Sequence, residues 1–339
     1  MITVIDPLIA RMRTGDRRAV ARLITLVENG GPEISKEIIK RIYSETGKAH
    51  IIGITGSPGS GKSTLTNELV THYLQQGKKV SVVAVDPSSP FTGGALLGDR
   101  IRMKSNFTNK NLFIRSMANR GKLGGLALAT KDVLHILDAY GSDIILVETV
   151  GVGQSEIDIF KSAHTTLVLV VPGMGDDIQA IKAGIMEITD IFVVNKCDHQ
   201  GADKRVAELE NMLTLSDKIV VDTKHYNFRI VRTKDWRPPV IKTNAREGTN
   251  VTALLEAIQN HKDQLEIKGN KTERLRYRYK HYVVDLLKYF TSKDIEQIIF
   301  RSPEINLYID LLITDEKKVD PYTISEEIYS KFLNRVLND

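Results

Sequence analysis

The chain has 339 residues, enough to bury one large α/β core with helical additions or two ordinary domains. Its 47 basic and 42 acidic residues leave a formal net charge of +5, scattered along the sequence, which is too weak an excess to argue for nucleic-acid binding. The single cysteine, Cys197, excludes an intrachain disulfide. No apolar run approaches the roughly 18 residues of a membrane span, so a membrane transporter is excluded; with no secretion signal at the N-terminus, a cytoplasmic enzyme is expected.

In chain order, residues 5–43 show helical apolar spacing (Leu8, Met12, Val20, Leu23, Ile24, Val27), broken at Asn29-Gly30-Gly31-Pro32 and resumed from Ile34 to Tyr43. From His50 the pattern changes to short apolar runs: 50–55, 80–85, 112–116, 144–148, 166–171, 191–195 and 239–243. Runs of this length suit parallel strands buried on both faces. Helical segments at 63–75, 126–139, 203–215 and 251–265 alternate with them. The expected fold class is therefore α/β: a doubly wound, mostly parallel sheet flanked by helices, carrying N-terminal and C-terminal helical extensions, which the glycine-rich loop after the first run makes a P-loop NTPase. The expected division is 1–48 for the N-terminal helices, 49–268 for the nucleotide-binding domain and 269–339 for a charged helical segment.

The first run ends in Gly56-Ser57-Pro58-Gly59-Ser60-Gly61-Lys62-Ser63-Thr64, a complete Gly-x-x-x-x-Gly-Lys-Ser loop between a predicted strand and a predicted helix. Glycines allow close backbone approach, so successive amides and the helix N-terminus can point at phosphate oxygens. Lys62 would neutralise terminal phosphates and Ser63 would ligate Mg²⁺. Magnesium prefers oxygen ligands, and two strand ends offer carboxylates, Asp86 and Glu148. Both could instead cap the turns that follow, and Asp99 lies in a polar loop. Gly151, just past Glu148, could place an amide at the γ-phosphate.

Strand 191–195 leads into Asn195-Lys196-Cys197-Asp198, an Asn-Lys-x-Asp tetrapeptide that gains weight from following a phosphate loop and an acidic strand end in that order. Asp198 can accept from the N1 and N2 donors of guanine, Asn195 can bond the other edge, and the Lys196 stem can cover the ring. Adenine lacks those donors, so GTP and GDP are the expected ligands and ATP the poorer one. After strand 239–243, Asn244-Ala245 stands where a backbone amide commonly meets the base oxygen; an Asn cap of a plain turn is the alternative.

These residues, with Val85-Asp86-Pro87-Ser88-Ser89-Pro90, Gly98-Asp99-Arg100-Ile101-Arg102-Met103, Ile114-Arg115-Ser116-Met117-Ala118, Gly121-Lys122-Leu123-Gly124-Gly125-Leu126 and Val147-Glu148-Thr149-Val150-Gly151-Val152-Gly153-Gln154-Ser155, resemble the ArgK/MeaB GTPases. Members of that family chaperone adenosylcobalamin-dependent acyl-CoA mutases and include the protein of methylmalonic aciduria type A. The resemblance implies that Asp86, Asp99 and Glu148 surround Mg²⁺. It implies that residues 172–184 form a switch with Asp176, Gln179 and Lys182 as messengers to a mutase, with methylmalonyl-CoA mutase as the expected partner. A homodimer joined through the helices after Gly269 is also implied, with no role for nucleic acid or membrane.

Slow in-line hydrolysis is the expected chemistry, with Lys62 and Glu148 in the catalytic set and Gln154 as the candidate for orienting water. A nickel-type metallochaperone GTPase would need a Cys/His cluster, and one cysteine with eight dispersed histidines does not announce one. A small-molecule kinase would need an acceptor pocket that the sequence does not locate. The segment Arg274-Leu275-Arg276-Tyr277-Arg278-Tyr279-Lys280 suits a packing face better than an RNA surface.

Overall fold

A computed structural model describes residues 4–86, 108–118, 125–149, 162–173, 189–218, 236–267, 269–301, 310 and 320–338. All seven predicted strands form: β1 (His50–Gly56), β2 (Val80–Asp86), β3 (Leu112–Ala118), β4 (Ile144–Thr149), β5 (Thr165–Val170), β6 (Ile191–Val194) and β7 (Val240–Lys242). They make one sheet in the order β3-β2-β4-β1-β5-β6-β7. Every pairing is parallel. The chain runs outward from β1 through β2 to β3, returns to insert β4 beside β1, and then builds β5 to β7 on the other side. The carboxyl ends of β1, β4 and β5 therefore border the crevice where such sheets take their ligands.

The helices are α1 (Ile5–Arg13), α2 (Arg17–Ile42), α3 (Lys62–Gln75), α4 (Gly125–Ala139), α5 (Ala202–Lys218), α6 (Val251–Glu266), α7 (Asn270–Arg301) and α8 (Pro321–Asn338). Strand residues alternate between two apolar layers, as a period of two requires. Ile51, Val83, Val85, Ile145 and Val147 pack with Leu23, Ile24 and Ile38 of α2 and with Val133 and Leu137 of α4. Ile52, Ile54, Val82, Leu146 and Leu167 pack with Leu65 and Leu69 of α3 and Leu254 and Ile258 of α6. A third cluster joins Val168, Val170, Phe192 and Val194 to Leu209 and Leu213 of α5. The N-terminal helices thus bury their apolar stripe against the same core as the sheet. Asp16 caps α2 by accepting from the Arg18 and Ala19 amides. The predicted break within α2 falls at Gly31, whose φ of 66° and ψ of −171° no helical residue adopts.

The amino ends of β1, β5 and β6 carry a buried polar chain. Arg274 of α7 forks onto Asp190, with its two terminal nitrogens 2.9 and 2.6 Å from the two carboxylate oxygens. Asp190 also accepts from the Thr166 amide (2.8 Å) and faces His261 Nε2 of α6 at 3.2 Å. His261 Nδ1 meets Thr165 Oγ1 at 2.9 Å, and Thr165 Oγ1 meets His50 Nε2 at 2.9 Å. With Nε2–H of His261 donating to Asp190, its Nδ1 is placed to accept from the Thr165 hydroxyl, which in turn accepts from His50. Burial favours a neutral Asp190, but Arg274 and His261 outweigh it and hold its carboxyl well below the usual range. His164 stacks on His50 with ring centroids 5.5 Å apart.

The chain divides into two compact units, Met1–Tyr282 and Val283–Asp339. In the first, the opening turns of α7 lie on the body through Arg274, through Tyr279 edge-on to Tyr43, and through the Tyr282 hydroxyl donating to Asp132. The predicted packing face at 274–280 is therefore observed. In the second, α8 opens on Asp320, which accepts from the amides of Tyr322 and Thr323. Among the described residues no helix is long and apolar enough to cross a membrane.

Candidate functional site

β1 delivers the chain at Gly56, and the loop turns through Gly59 and Gly61 at φ of 79° and 93° before α3 begins at Lys62. Two of these glycines are required by contact as well as by backbone angle. A Cβ on Gly56 would sit 2.2 Å from the Leu169 carbonyl oxygen of β5, and one on Gly61 would sit 2.3 Å from Asn195 Nδ2. The loop is closed by the Ser60 amide donating to Ser57 O (3.1 Å), while Pro58 and Gly59 are exposed at its tip.

Lys62 is buried, and its ammonium donates to the carbonyl oxygens of Gly56 (2.7 Å) and Ser57 (3.0 Å). The cation is thus held at the loop mouth by main-chain acceptors. Ser63, on the first turn of α3, donates to Glu148 Oε1 at 2.5 Å. Glu148 is buried at the carboxyl end of β4, beside Ile54 of β1 in the parallel register. A hydroxyl and a carboxylate converging at the N-terminus of a helix form a hard-oxygen donor set of the kind Mg²⁺ takes. Asp86 is the last residue of β2, one position past the Val85–Thr149 pair, so its backbone stands next to the end of β4; its side chain lies outside the described residues. Thr64 is exposed on α3. Asp99, Gly151, Gln154, Asp176, Gln179 and Lys182 also lie outside the described residues.

The Asn-Lys-x-Asp segment follows β6, adjacent to the loop. Asn195 is buried and joins three strand ends. Its Nδ2 donates to Ser60 O (2.8 Å), and its Oδ1 accepts from Thr243 Oγ1 (3.1 Å) and the Ala245 amide (3.0 Å). Lys196 adopts φ of 57°, a left-handed conformation uncommon outside glycine, and is half-buried. Asp198 follows with its carboxylate half exposed, accepting from Asn244 Nδ2 at 3.0 Å and lying 3.6 Å from His199 Nε2.

Asn244 and Ala245 do more than the sequence suggested. The Asn244 Oδ1 accepts from the Arg246 and Glu247 amides, so it caps the turn while its Nδ2 reaches Asp198. The Ala245 amide is bonded to Asn195, so a base oxygen would share that donor rather than find it idle. Thr243 was not singled out by sequence, although a hydroxyl-bearing residue closing a buried strand is the signal that could have found it.

Four of the histidines that are scattered in sequence, His50, His135, His164 and His261, lie in the same amino-end region of the sheet and its flanking helices. Those with bonded ring nitrogens are tied to Thr165, Asp190 and the Ile51 amide. Among the described residues no group of three His, Cys, Asp or Glu side chains could hold a metal ion.

A family model described as Methylmalonyl Co-A mutase-associated GTPase MeaB matches residues 20–298. A protein of Pyrococcus horikoshii described as a GTPase is 48% identical over 331 residues, 98% of this chain and 99% of its own length. Methylmalonic aciduria type A homolog, mitochondrial, of Mus musculus is 31% identical over 300 residues, 84% of this chain and 69% of its own. Among solved structures, the crystal structure of LAO/AO transport system kinase superposes with a TM-score of 0.68 at 26% identity, covering 98% of both chains.

Proposed function

The chain belongs to the methylmalonyl-CoA mutase-associated GTPase family and is a GTP-hydrolysing enzyme, and we propose that it acts as a Mg²⁺-dependent switch that gates cofactor loading on an acyl-CoA mutase. The observation that carries the nucleotide part is the position of Asn195. One buried amide spans from the phosphate-loop carbonyl of Ser60 to the Ala245 amide after β7, so base recess and phosphate cradle form one frame.

In this reading the amides of residues 56–64 hold the phosphates, with Gly151 adding one at the γ-phosphate, and Asp198, Asn195, Lys196 and the Asn244-Ala245 turn hold guanine. Ser63, Glu148, Asp86 and Asp99 would hold Mg²⁺, which when bound neutralises charge on the phosphate oxygens. Lys62 leaves the Gly56 and Ser57 carbonyls for the terminal phosphates, where its charge stabilises the loose transition state of an in-line displacement. Glu148 fixes the Ser63 hydroxyl, and Gln154 is the candidate for orienting the attacking water. Intrinsic turnover is slow until a partner orders residues 172–184, with Asp176, Gln179 and Lys182 as the contact set.

The partner is an adenosylcobalamin-dependent mutase, supported by the mutase association that gives the family its name, and the working form is a homodimer. Val283, Val284 and Leu287 are exposed on α7, which supports that assembly.

Hydrolysis of GTP and ATP measured side by side, following free phosphate against phosphorylated product, tests the enzyme part. Free phosphate from GTP is expected, and accumulation of a phosphorylated acceptor would instead make the chain a kinase. Asp198→Asn is expected to cut the preference for GTP over ATP by about three powers of ten. For the partner, capture of the mutase from native extract, followed by GTPase assay with it, is expected to give faster turnover. A captured mutase that leaves turnover unchanged would refute the gating role.

A further inference from the structure

At the amino end of β1, between α4 and α7, lies a cavity of ≈ 50 Å³. It is bordered by Ile51 near the start of β1 and by His164 just before β5; along β1, Ile51 is five residues or about 17 Å from Gly56. It is therefore separate from the nucleotide site.

Its wall is rich in donors. Arg278 lines it and, among the described residues, has no hydrogen-bond or ion-pair partner; burial pulls its pKa down to about 10. Asp138 is the one carboxylate in the lining, and it is already occupied by the amides of Gly47 (2.6 Å), Lys48 (3.1 Å) and Ala49 (2.9 Å). His164 Nδ1 accepts from the Ile51 amide at 2.9 Å, so the neutral ring carries its proton on Nε2, a second donor. Burial keeps His164 well below its ordinary pKa and His135 at about 4, so both are neutral donors near pH 7. Lys131 adds another positive charge to the lining. The carboxylate nearest Arg278 in charge, Asp138, is spent on three amides, so a largely buried guanidinium is under-compensated, and an acceptor-only guest with negative charge corrects it.

We propose that this cavity binds a small oxyanion, phosphate in chemistry, through Arg278 and His164. The ion joins α7 to α4 and to the base of β1. Two sources share that chemistry, free phosphate and the phosphate group of a larger molecule.

The test uses the full chain with its phosphate loop filled by Mg²⁺ and a non-hydrolysable GTP analogue, so that added anion cannot report on that loop. Calorimetric titration with inorganic phosphate at matched ionic strength is expected to show one saturable site, weakened at least tenfold by Arg278→Gln with analogue affinity unchanged. Glycerol 3-phosphate forms the second arm: binding equal to that of phosphate identifies a cavity open to monoesters, and binding of phosphate alone identifies the free ion. In parallel, histidine-selective NMR of the wild type is expected to shift the His164 and His135 ring signals on phosphate addition, a readout that survives a poorly folding variant. No saturable binding, equal binding by Arg278→Gln, or unmoved ring signals would overturn the proposal.

Discussion

At the carboxyl ends of the strands the polar groups that matter are largely main-chain: the loop carbonyls that hold Lys62, the Ser60 carbonyl that receives Asn195, and the Ala245 amide that completes it. At the amino ends of β1, β5 and β6 the contacts run mostly between side chains, from Arg274 through Asp190, His261 and Thr165 to His50. The difference follows from what each end has to do. A main-chain cradle presents many donors to a ligand that comes and goes, whereas a closed side-chain relay has every partner built in and serves to fasten helices to the sheet.

Substitutions at the two ends should therefore fail in different assays. Asp190→Ala leaves the Arg274 guanidinium and His261 without their buried partner and is expected to cost about 3–5 kcal/mol of stability. Denaturant unfolding checks this, and guanine-nucleotide affinity in the folded fraction should be unchanged. Lys62→Ala reverses the pattern: nucleotide affinity falls by about 100-fold or more while the unfolding midpoint moves little. A variant at either end that disturbs both readouts equally would erase the distinction.

Acid separates the ends next. Burial, aided by the charge of Lys262, holds His50 at about 3, and burial with Arg278 holds His135 at about 4. The unfolded chain protonates both near pH 6.5, so their contribution is full above that value and is lost as pH falls towards 4, by roughly 1.4 kcal/mol per histidine per pH unit. Asp132, raised to about 6 by burial, takes up a proton in the folded state and offsets part of this below pH 6. Melting temperature measured from pH 8 to pH 5 should fall, with most of the drop below pH 6.5. The smallest effect is at Asn244→Ala, which removes the amide that steadies Asp198 and is expected to weaken GDP binding roughly fivefold, about 1 kcal/mol, in a fluorescence titration.

The carboxyl end was legible in the sequence because its work is done by spacing. Gly56 to Ser63 must be contiguous to wrap phosphates, and Asn195 to Asp198 must be contiguous to span a purine edge, so both survive as short patterns. All seven strands were legible for a related reason, since burial on both faces leaves uninterrupted apolar runs such as Ile144 to Val147. The amino end was not. His50, Thr165, Asp190, His261 and Arg274 are each unremarkable in their own stretch of chain, and only the parallel register that sets Ile52 against Thr165 brings them within reach. Asn244 fell between the two cases: its place after β7 was visible, but its double bond to Asp198 and to the following amides depends on how that turn closes.

Gly56 has a consequence for signalling. Its α-carbon lies so close to the Leu169 carbonyl that no side chain fits between them, and four residues beyond Leu169 the chain reaches Gly173 and the stretch that follows. If the proposed switch at 172–184 moves, strain passed along β5 would meet the nucleotide cradle backbone against backbone. Such a contact has no rotamer to absorb the push, so the two segments must translate together as a stiff linkage.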